Sequence, residues 1–271
     1  MGSEQQGPGQ QGAGEHLLEL VDIEAGYGRA ALVLRGLTVR VPPASVVCLV
    51  GPNGAGKSTV LKVASGMLAP RSGRIVVGGR DVTGRRPQQM LQAGLSHVLQ
   101  GHSVFKEMSV AENVLLGAYT VKDRSEVAER AAFVRDLFPV VAQRWDSLAG
   151  VLSGGQQKQV EFARSLMVSP RVVLLDEPSM GLDPRATNTV FEQVLRMRDA
   201  GTAVLLVEQN ARHALETADL GCVLDLGRVH VSGPAADLLA DPQLGELYLG
   251  QRRASGSAPH PTTTTSPREP A

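Results

Sequence analysis

Apolar and polar positions alternate along residues 17–41, first in "LLELVDIEAGY" and again in "LVLRGLTVRV". That period-two pattern predicts strands with one covered face. It returns over 72–82 in "SGRIVVGGRDV", where Gly78 and Gly79 supply a turn. Elsewhere the apolar residues form short unbroken runs at Val46–Val50, 95–99, 172–175, 204–207 and 222–226. Such runs suit strands buried on both faces, and helical stretches alternate with several of them. Asn210 stands where it can cap a helix over 210–219, with Ala211, Ala214, Leu215 and Ala218 on one side. From about 101 to 168 the pattern changes and, turns apart, reads as helix. Ser109 with Glu112 makes a capping box, 125–138 is amphipathic, and Ser153 with Gln156 can cap another helix. The expected fold is therefore α/β: an N-terminal antiparallel β subdomain, a mainly parallel sheet with helices on both faces, and an inserted α-helical subdomain.

Composition limits the function classes. The chain has 271 residues, 42% hydrophobic, which is ample for a buried core. Its 27 basic and 27 acidic residues balance, so no broad nucleic-acid surface and no nucleic-acid partner is expected. No apolar run approaches the roughly 20 residues of a membrane span, so any work at a membrane needs spans from another chain. Residues 1–16 and 251–271 are poor in apolar residues and rich in Gly, Pro, Gln, Ser or Thr, and are expected to be disordered tails around a domain over 17–250. Cys48 and Cys222 lie in apolar runs without metal-ligand spacing and read as buried thiols. His97, His102, His213 and His230 form no metal-spaced pair and read as surface or packing residues.

The chemistry begins at "GPNGAGKST", comprising Gly51, Pro52, Asn53, Gly54, Ala55, Gly56, Lys57, Ser58 and Thr59. It follows the run Val46–Val50 and opens a helix expected over 57–66, which is the strand–loop–helix setting of a phosphate cradle. Glycines let backbone N–H groups turn inward around a polyphosphate, and the helix N-terminus adds positive potential. Lys57 would reach the β- and γ-phosphates, and Ser58 would ligate Mg²⁺. "RVVLLDEP" over 171–178 supplies the partner: four apolar residues, then Asp176 and Glu177 at the strand's C-terminal edge, where ligands of open α/β sheets sit. Asp176 would hold Mg²⁺ and Glu177 would act on the attacking water as general base. The pair points to hydrolysis of a nucleoside triphosphate on a P-loop NTPase core.

"LSGGQQKQVEFARSLM" over 152–167 adds a second anion site, because Ser153, Gly154 and Gly155 stand at a helix N-terminus with Gln156 next. One chain then carries two phosphate-binding elements and one cradle. A dimer in which each chain's Ser153–Gly155 segment covers the other chain's nucleotide resolves the mismatch.

With these motifs in this order, the chain resembles the ATP-binding cassette (ABC) transporter ATPases over residues 17–250. The resemblance implies that Tyr27, in "AGYGRA", stacks on adenine. It gives Gln100 contact with Mg²⁺ and a relay to the membrane subunit, and places Asp183 in "SMGLDP" at the dimer's nucleotide. It also explains "LLVEQN": the position after Glu208 usually holds a His that bonds the γ-phosphate, and here it is Gln209. Gln can donate to a phosphate oxygen but cannot become cationic.

Gln209, with "HSVFKEMSVAENV", "LFPVVAQRWDSLAGVLSGG" and the ending "GELYLG", is similar to the Gln-bearing ATPase subunit of branched-chain amino-acid importers. Gln100 and the Asp of "GLDP" depart from that subunit towards the general ABC pattern, which keeps the ATP chemistry. Urea and other amide importers use similar subunits, so the transported substrate stays open. The implied cofactors are ATP and Mg²⁺. The implied partners are a second ABC ATPase subunit, identical or not, two transmembrane permease subunits docking near 100–113, and indirectly a solute-binding protein. The implied place is the cytoplasmic face of the cell membrane. Two alternatives stay open: a soluble ABC ATPase of DNA repair or translation, and a regulatory subunit that binds ATP and barely hydrolyses it.

Overall fold

A computed structural model describes residues 16–28, 31–101 and 103–242. The expected tails, His102 and the "GELYLG" ending therefore lie outside the described residues, apart from His16 at the edge of the first.

The alternating N-terminal runs form an antiparallel sheet. Strands β1 (Leu18–Ala25) and β2 (Leu34–Val41) pair, and β4 (Ser72–Val77) with β5 (Arg80–Asp81) completes the order β2-β1-β4-β5. Gly78 and Gly79 both take positive φ in the tight turn between β4 and β5, a conformation that favours glycine.

The unbroken apolar runs form a second sheet. It contains β3 (Val46–Val50), β6 (Leu95–Val98), β7 (Val172–Asp176), β8 (Ala203–Val207), β9 (Leu220–Asp225) and β10 (Arg228–Pro234), in the order β10-β9-β3-β8-β7-β6. All neighbours are parallel except the edge hairpin β9–β10. Its turn is Leu226-Gly227, both at positive φ. The expected run 222–226 thus starts two residues earlier and stops one short, because Leu226 turns out to solvent, 74% exposed.

Why the central strands lack alternation is visible in the packing. Val46, Cys48 and Val50 face one core, while Val47 and Leu49 face another. The same division splits β7 into Val173 and Leu175 against Val172 and Leu174. One core lies against the antiparallel sheet and includes helix α1 (Lys57–Ala64) and Met90 of α2 (Pro87–Gln92). The other core holds helices α3 (Val110–Leu115), α4 (Arg124–Leu137), α5 (Pro139–Gln143), α6 (Gly154–Leu166), α7 (Pro184–Asp199), α8 (Ala211–Thr217) and α9 (Ala235–Ala240). Each fully buried Val or Leu contributes about 1.5–3 kcal/mol relative to exposure, so the two-sided burial of β3, β7 and β8 is a large source of cohesion.

Helix ends follow their capping chemistry. Ser109 and Ser153 both make capping boxes, with Glu112 and Gln156. Asn210 accepts from the His213 N–H. Helix α1 ends two residues before the expected position, because Ser65 closes it and Gly66 (φ 74°) takes the left-handed exit.

Candidate active site

Four strand ends and one helix start meet at the C-terminal edge of the parallel sheet. The loop 51–56 leaves β3 and enters α1 through Gly51 (φ 151°), Gly54 (φ 81°) and Gly56 (φ 107°). Gly51 is required for two reasons: its φ, and a Cβ there would sit 2.1 Å from the Leu224 carbonyl oxygen. Gly54 has open space around it, as a loop that receives a ligand needs. Lys57 is buried, and its Nζ donates to the carbonyl oxygens of Gly51 (2.7 Å) and Pro52 (3.1 Å). Burial pushes its pKa down, against the opposing pull of Glu177 and Asp176. A cation held inside a ring of backbone groups suits an anion in the loop.

Ser58, the second residue of α1, donates to Asp176 Oδ1 at 3.3 Å. Burial, then the neighbouring Glu177, raises the Asp176 carboxyl above the ordinary carboxylate range. A hydroxyl beside a buried carboxylate is a hard-oxygen pair of the kind Mg²⁺ takes. Glu177 follows at φ 46°, a left-handed conformation that is costly for a residue with a Cβ. Its N–H donates to the Val207 carbonyl (2.9 Å), and its carboxylate Oε2 accepts from Gln100 Nε2 (2.7 Å). Gln100 also lies 3.1 Å from the sulfur of Met180.

Gln209 is exposed just past β8, and a cavity of about 280 Å³ is lined by it together with Glu177, Ser179, Glu208 and Asn210. Tyr27, 52% exposed, is tied to α1: its hydroxyl is 3.4 Å from Thr59 Oγ1, and Lys62 Nζ reaches both that hydroxyl (3.3 Å) and the ring (5.4 Å from its centroid). The Thr59 bond holds the Tyr27 pKa below its ordinary value, with Lys62 adding to it.

The remaining expected residues form a second group. Ser153 Oγ accepts from Gln156 N, and Gln156 Oε1 accepts from Ser153 N (3.0 Å), so this side chain closes the cap of α6. Gly154 and Gly155 are the first two residues of α6, and a Cβ on Gly155 would lie 3.0 Å from Ala186 Cβ. Asp183 caps α7 through the N–H groups of Arg185 (2.9 Å) and Ala186 (3.0 Å). The two motifs are therefore packed on each other. No hydrogen bond among the described residues links Ser153 or Asp183 to the cradle of their own chain.

Sequence reasoning missed two features. Glu208 is 2% exposed and turns inward, where Oε1 accepts the Ser179 N–H (2.9 Å) and Oε2 the Gln209 N–H (3.2 Å). Around Leu99, one residue before Gln100, two adjoining cavities of about 280 Å³ each share Leu91, Ser96, His97, Leu99 and Tyr119. Their apolar rim includes Met67 (51% exposed), Leu99 (46%) and Tyr119 (67%). Neither ring nitrogen of His97 has a hydrogen-bond partner, and burial pushes its pKa down to about 4.

A glycine loop at a helix start, a serine bonded to a buried aspartate and a carboxylate beyond it define a P-loop nucleoside triphosphatase. The family model "ABC transporter" matches residues 34–180, and the chain belongs to that family and is an ATPase. It is 35% identical over 234 residues to the high-affinity branched-chain amino acid transport ATP-binding protein BraG of Pseudomonas aeruginosa, covering 86% of this chain and 100% of that one. It is also 35% identical over 225 residues to the lipopolysaccharide export system ATP-binding protein LptB of Acidithiobacillus ferridurans, covering 83% and 93%. The crystal structure of the ADP conformation of MJ1267, an ATP-binding cassette of an ABC transporter, superposes with a TM-score of 0.78 at 29% identity, over 87% of this chain and 99% of that one. Among the described residues no helix is long and apolar enough to cross a membrane.

Proposed function

We propose that this chain energises an importer for branched-chain or related amino acids. It works as one of two ATPase chains at the cytoplasmic face of the membrane, beneath two permease subunits supplied by a solute-binding protein. The observation that carries the catalytic part is the convergence of Gln100, Glu177 and Gln209 beyond the Ser58–Asp176 pair. Bound Mg²⁺ would supply charge neutralisation at the phosphates. Ser58 and Asp176 suit that ion, and Gln100 joins the group through its bond to Glu177. The residues 51–59 hold the polyphosphate through backbone N–H groups and Lys57, and Tyr27 offers its exposed face to the base. Glu177 orients the attacking water and takes its proton. Gln209 donates a hydrogen bond to the terminal phosphate. Ser153, Gly154, Gly155, Gln156 and Asp183 serve the nucleotide of the other chain.

The cavities that reach Leu99, one residue before Gln100, give a permease segment a place to dock. Support for import and for the amino-acid class comes from the likeness to BraG along its whole length and from Gln209. Equal identity to LptB favours a second reading, an export-coupled ATPase.

Two measurements test this. Mg-ATP hydrolysis is followed over a range of protein concentrations, with Glu177→Gln as the control. A rate per chain that rises with concentration and vanishes in the control is expected. Hydrolysis that persists in Glu177→Gln would remove Glu177 from its role. Uptake of labelled leucine, valine and urea by cells lacking the chain then separates import from export. Uptake unchanged by its deletion would refute the importer.

A further inference from the structure

We infer that Glu208 is a positioning residue that ties the loop of Gln209 to the turn of Glu177, so that the two move as one unit. This rests on the roles proposed above for Glu177 and Gln209. Strand β8 ends at Val207, and the next side chain would ordinarily point to water at a sheet edge. Glu208 instead folds back and is 2% exposed. A buried carboxylate is costly unless both oxygens are engaged. Here each oxygen accepts one backbone N–H, and the two donors belong to different loops: Ser179, two residues past Glu177, and Gln209.

The unit has a third tie. The Glu177 N–H donates to the Val207 carbonyl, the residue before Glu208. Together these three bonds join the two loops that line the cavity shared by Glu177, Glu208 and Gln209. Glu177 is held at φ 46°, so its turn needs outside restraint to keep that shape. Glu208 supplies it from the strand that also delivers Gln209. The other side chains lining the cavity from the loop 179–181 and from Asn210 carry no charge, and Glu177 is the charged group facing Glu208 there. A shift of Gln209 as it engages phosphate is thereby passed to Glu177 through one carboxylate.

The test compares Glu208→Gln, Glu208→Ala and Glu177→Gln with the wild type, each in the full chain within its transporter complex. Measured are kcat and KM for Mg-ATP, the affinity for a fluorescent ATP analogue, and the melting temperature. Glu208→Gln keeps the size and one acceptor but sets an amide N–H against the second donor. Its kcat is expected to fall about tenfold, and that of Glu208→Ala further, with nucleotide affinity within about twofold of wild type in both. Turnover within about twofold of wild type in both would overturn the inference. So would turnover, affinity and melting temperature falling together, because that pattern belongs to a purely structural residue. The two readings fail separately: an active Glu177→Gln removes the catalytic assignment, whereas an inactive Glu177→Gln beside fully active Glu208 variants removes the positioning role alone.

Discussion

The side-chain amide of Gln100 donates to Glu177 Oε2 at 2.7 Å, across the ends of two neighbouring parallel strands. The pairing Val98↔Leu175, continued by two residues, sets position 100 opposite position 177, so strand register brings the two side chains together. The contact gives Glu177 one orientation. With Gln100→Ala that carboxylate turns freely, and kcat is expected to fall about tenfold or more while nucleotide affinity stays within about twofold. Phosphate-release kinetics with a parallel binding titration check this. A raised KM with unchanged kcat would make Gln100 a ligand-binding residue instead.

Gln209 is exposed and lines the cavity it shares with Glu177, so its substitution tests the proposed chemistry with little disturbance of packing. Gln209→Ala is expected to lower kcat about 100-fold, the usual scale for one lost donor to developing charge. Gln209→His is expected to hydrolyse at least as fast as wild type. Its advantage should grow as pH falls from 8 to 6, because an imidazole near its ordinary pKa becomes cationic over that interval. An advantage independent of pH would assign the gain to geometry alone.

How much of this was legible in the sequence depends on whether a residue's role is local. The P-loop glycines, the Ser109 and Ser153 caps and the β4–β5 turn at Gly78-Gly79 are short-range, and the pattern predicts them, but it does not predict the edge hairpin β9–β10. Two-sided strand burial is also legible, since it removes alternation from β3, β7 and β8. Long-range pairings are not. Glu208 reads as a polar residue leaving a strand, and nothing near it in sequence announces Ser179 as its donor. Helix α6 shows the same limit. Its apolar residues mark one face, but Lys158 and Glu161 are 2% and 1% exposed as well, since the segment after Gln100 covers them. Periodicity identifies a face that must be buried and says nothing of whether the opposite face is also covered.

His97 gives stability a pH dependence whose sign follows from its surroundings. Burial lowers its folded pKa to about 4, below the unfolded value of about 6.5, so the native state favours neutral imidazole. Above the unfolded pKa neither state is charged and nothing is lost. As pH falls below it, the unfolded chain takes up a proton that the folded chain refuses, and stability drops until the folded pKa is reached. Between pH 7.5 and 5 the wild type is expected to lose about 2 kcal/mol more than His97→Leu, measured by urea unfolding. Equal losses in the two proteins would mean that His97 titrates normally in the fold.

The ion pair inside the helical subdomain carries a different expectation. Lys158 Nζ and Glu161 Oε2 are 2.6 Å apart with side chains 3% and 0% exposed. Neither group is spent on the other alone: Lys158 also donates to the Gly101 carbonyl at 2.6 Å, Glu161 accepts from the Ser103 N–H, and Arg164 one turn on donates to the Ser103 carbonyl at 2.9 Å. Three side chains of α6 thus hold the segment that begins one residue after Gln100. Glu161→Ala strands a buried ammonium and is expected to cost more than about 3 kcal/mol in unfolding free energy. The double variant Lys158→Met, Glu161→Leu removes both charges and should recover most of that loss, since a buried pair gives little net stability over an apolar one. Its turnover should nevertheless stay low, because the residues beside Gln100 have lost two of their three anchors and keep only Arg164. Urea unfolding and ATPase rates on the same preparations separate the two effects: full turnover in the double variant would show that the pair serves packing and that Gln100 is held by Glu177 alone.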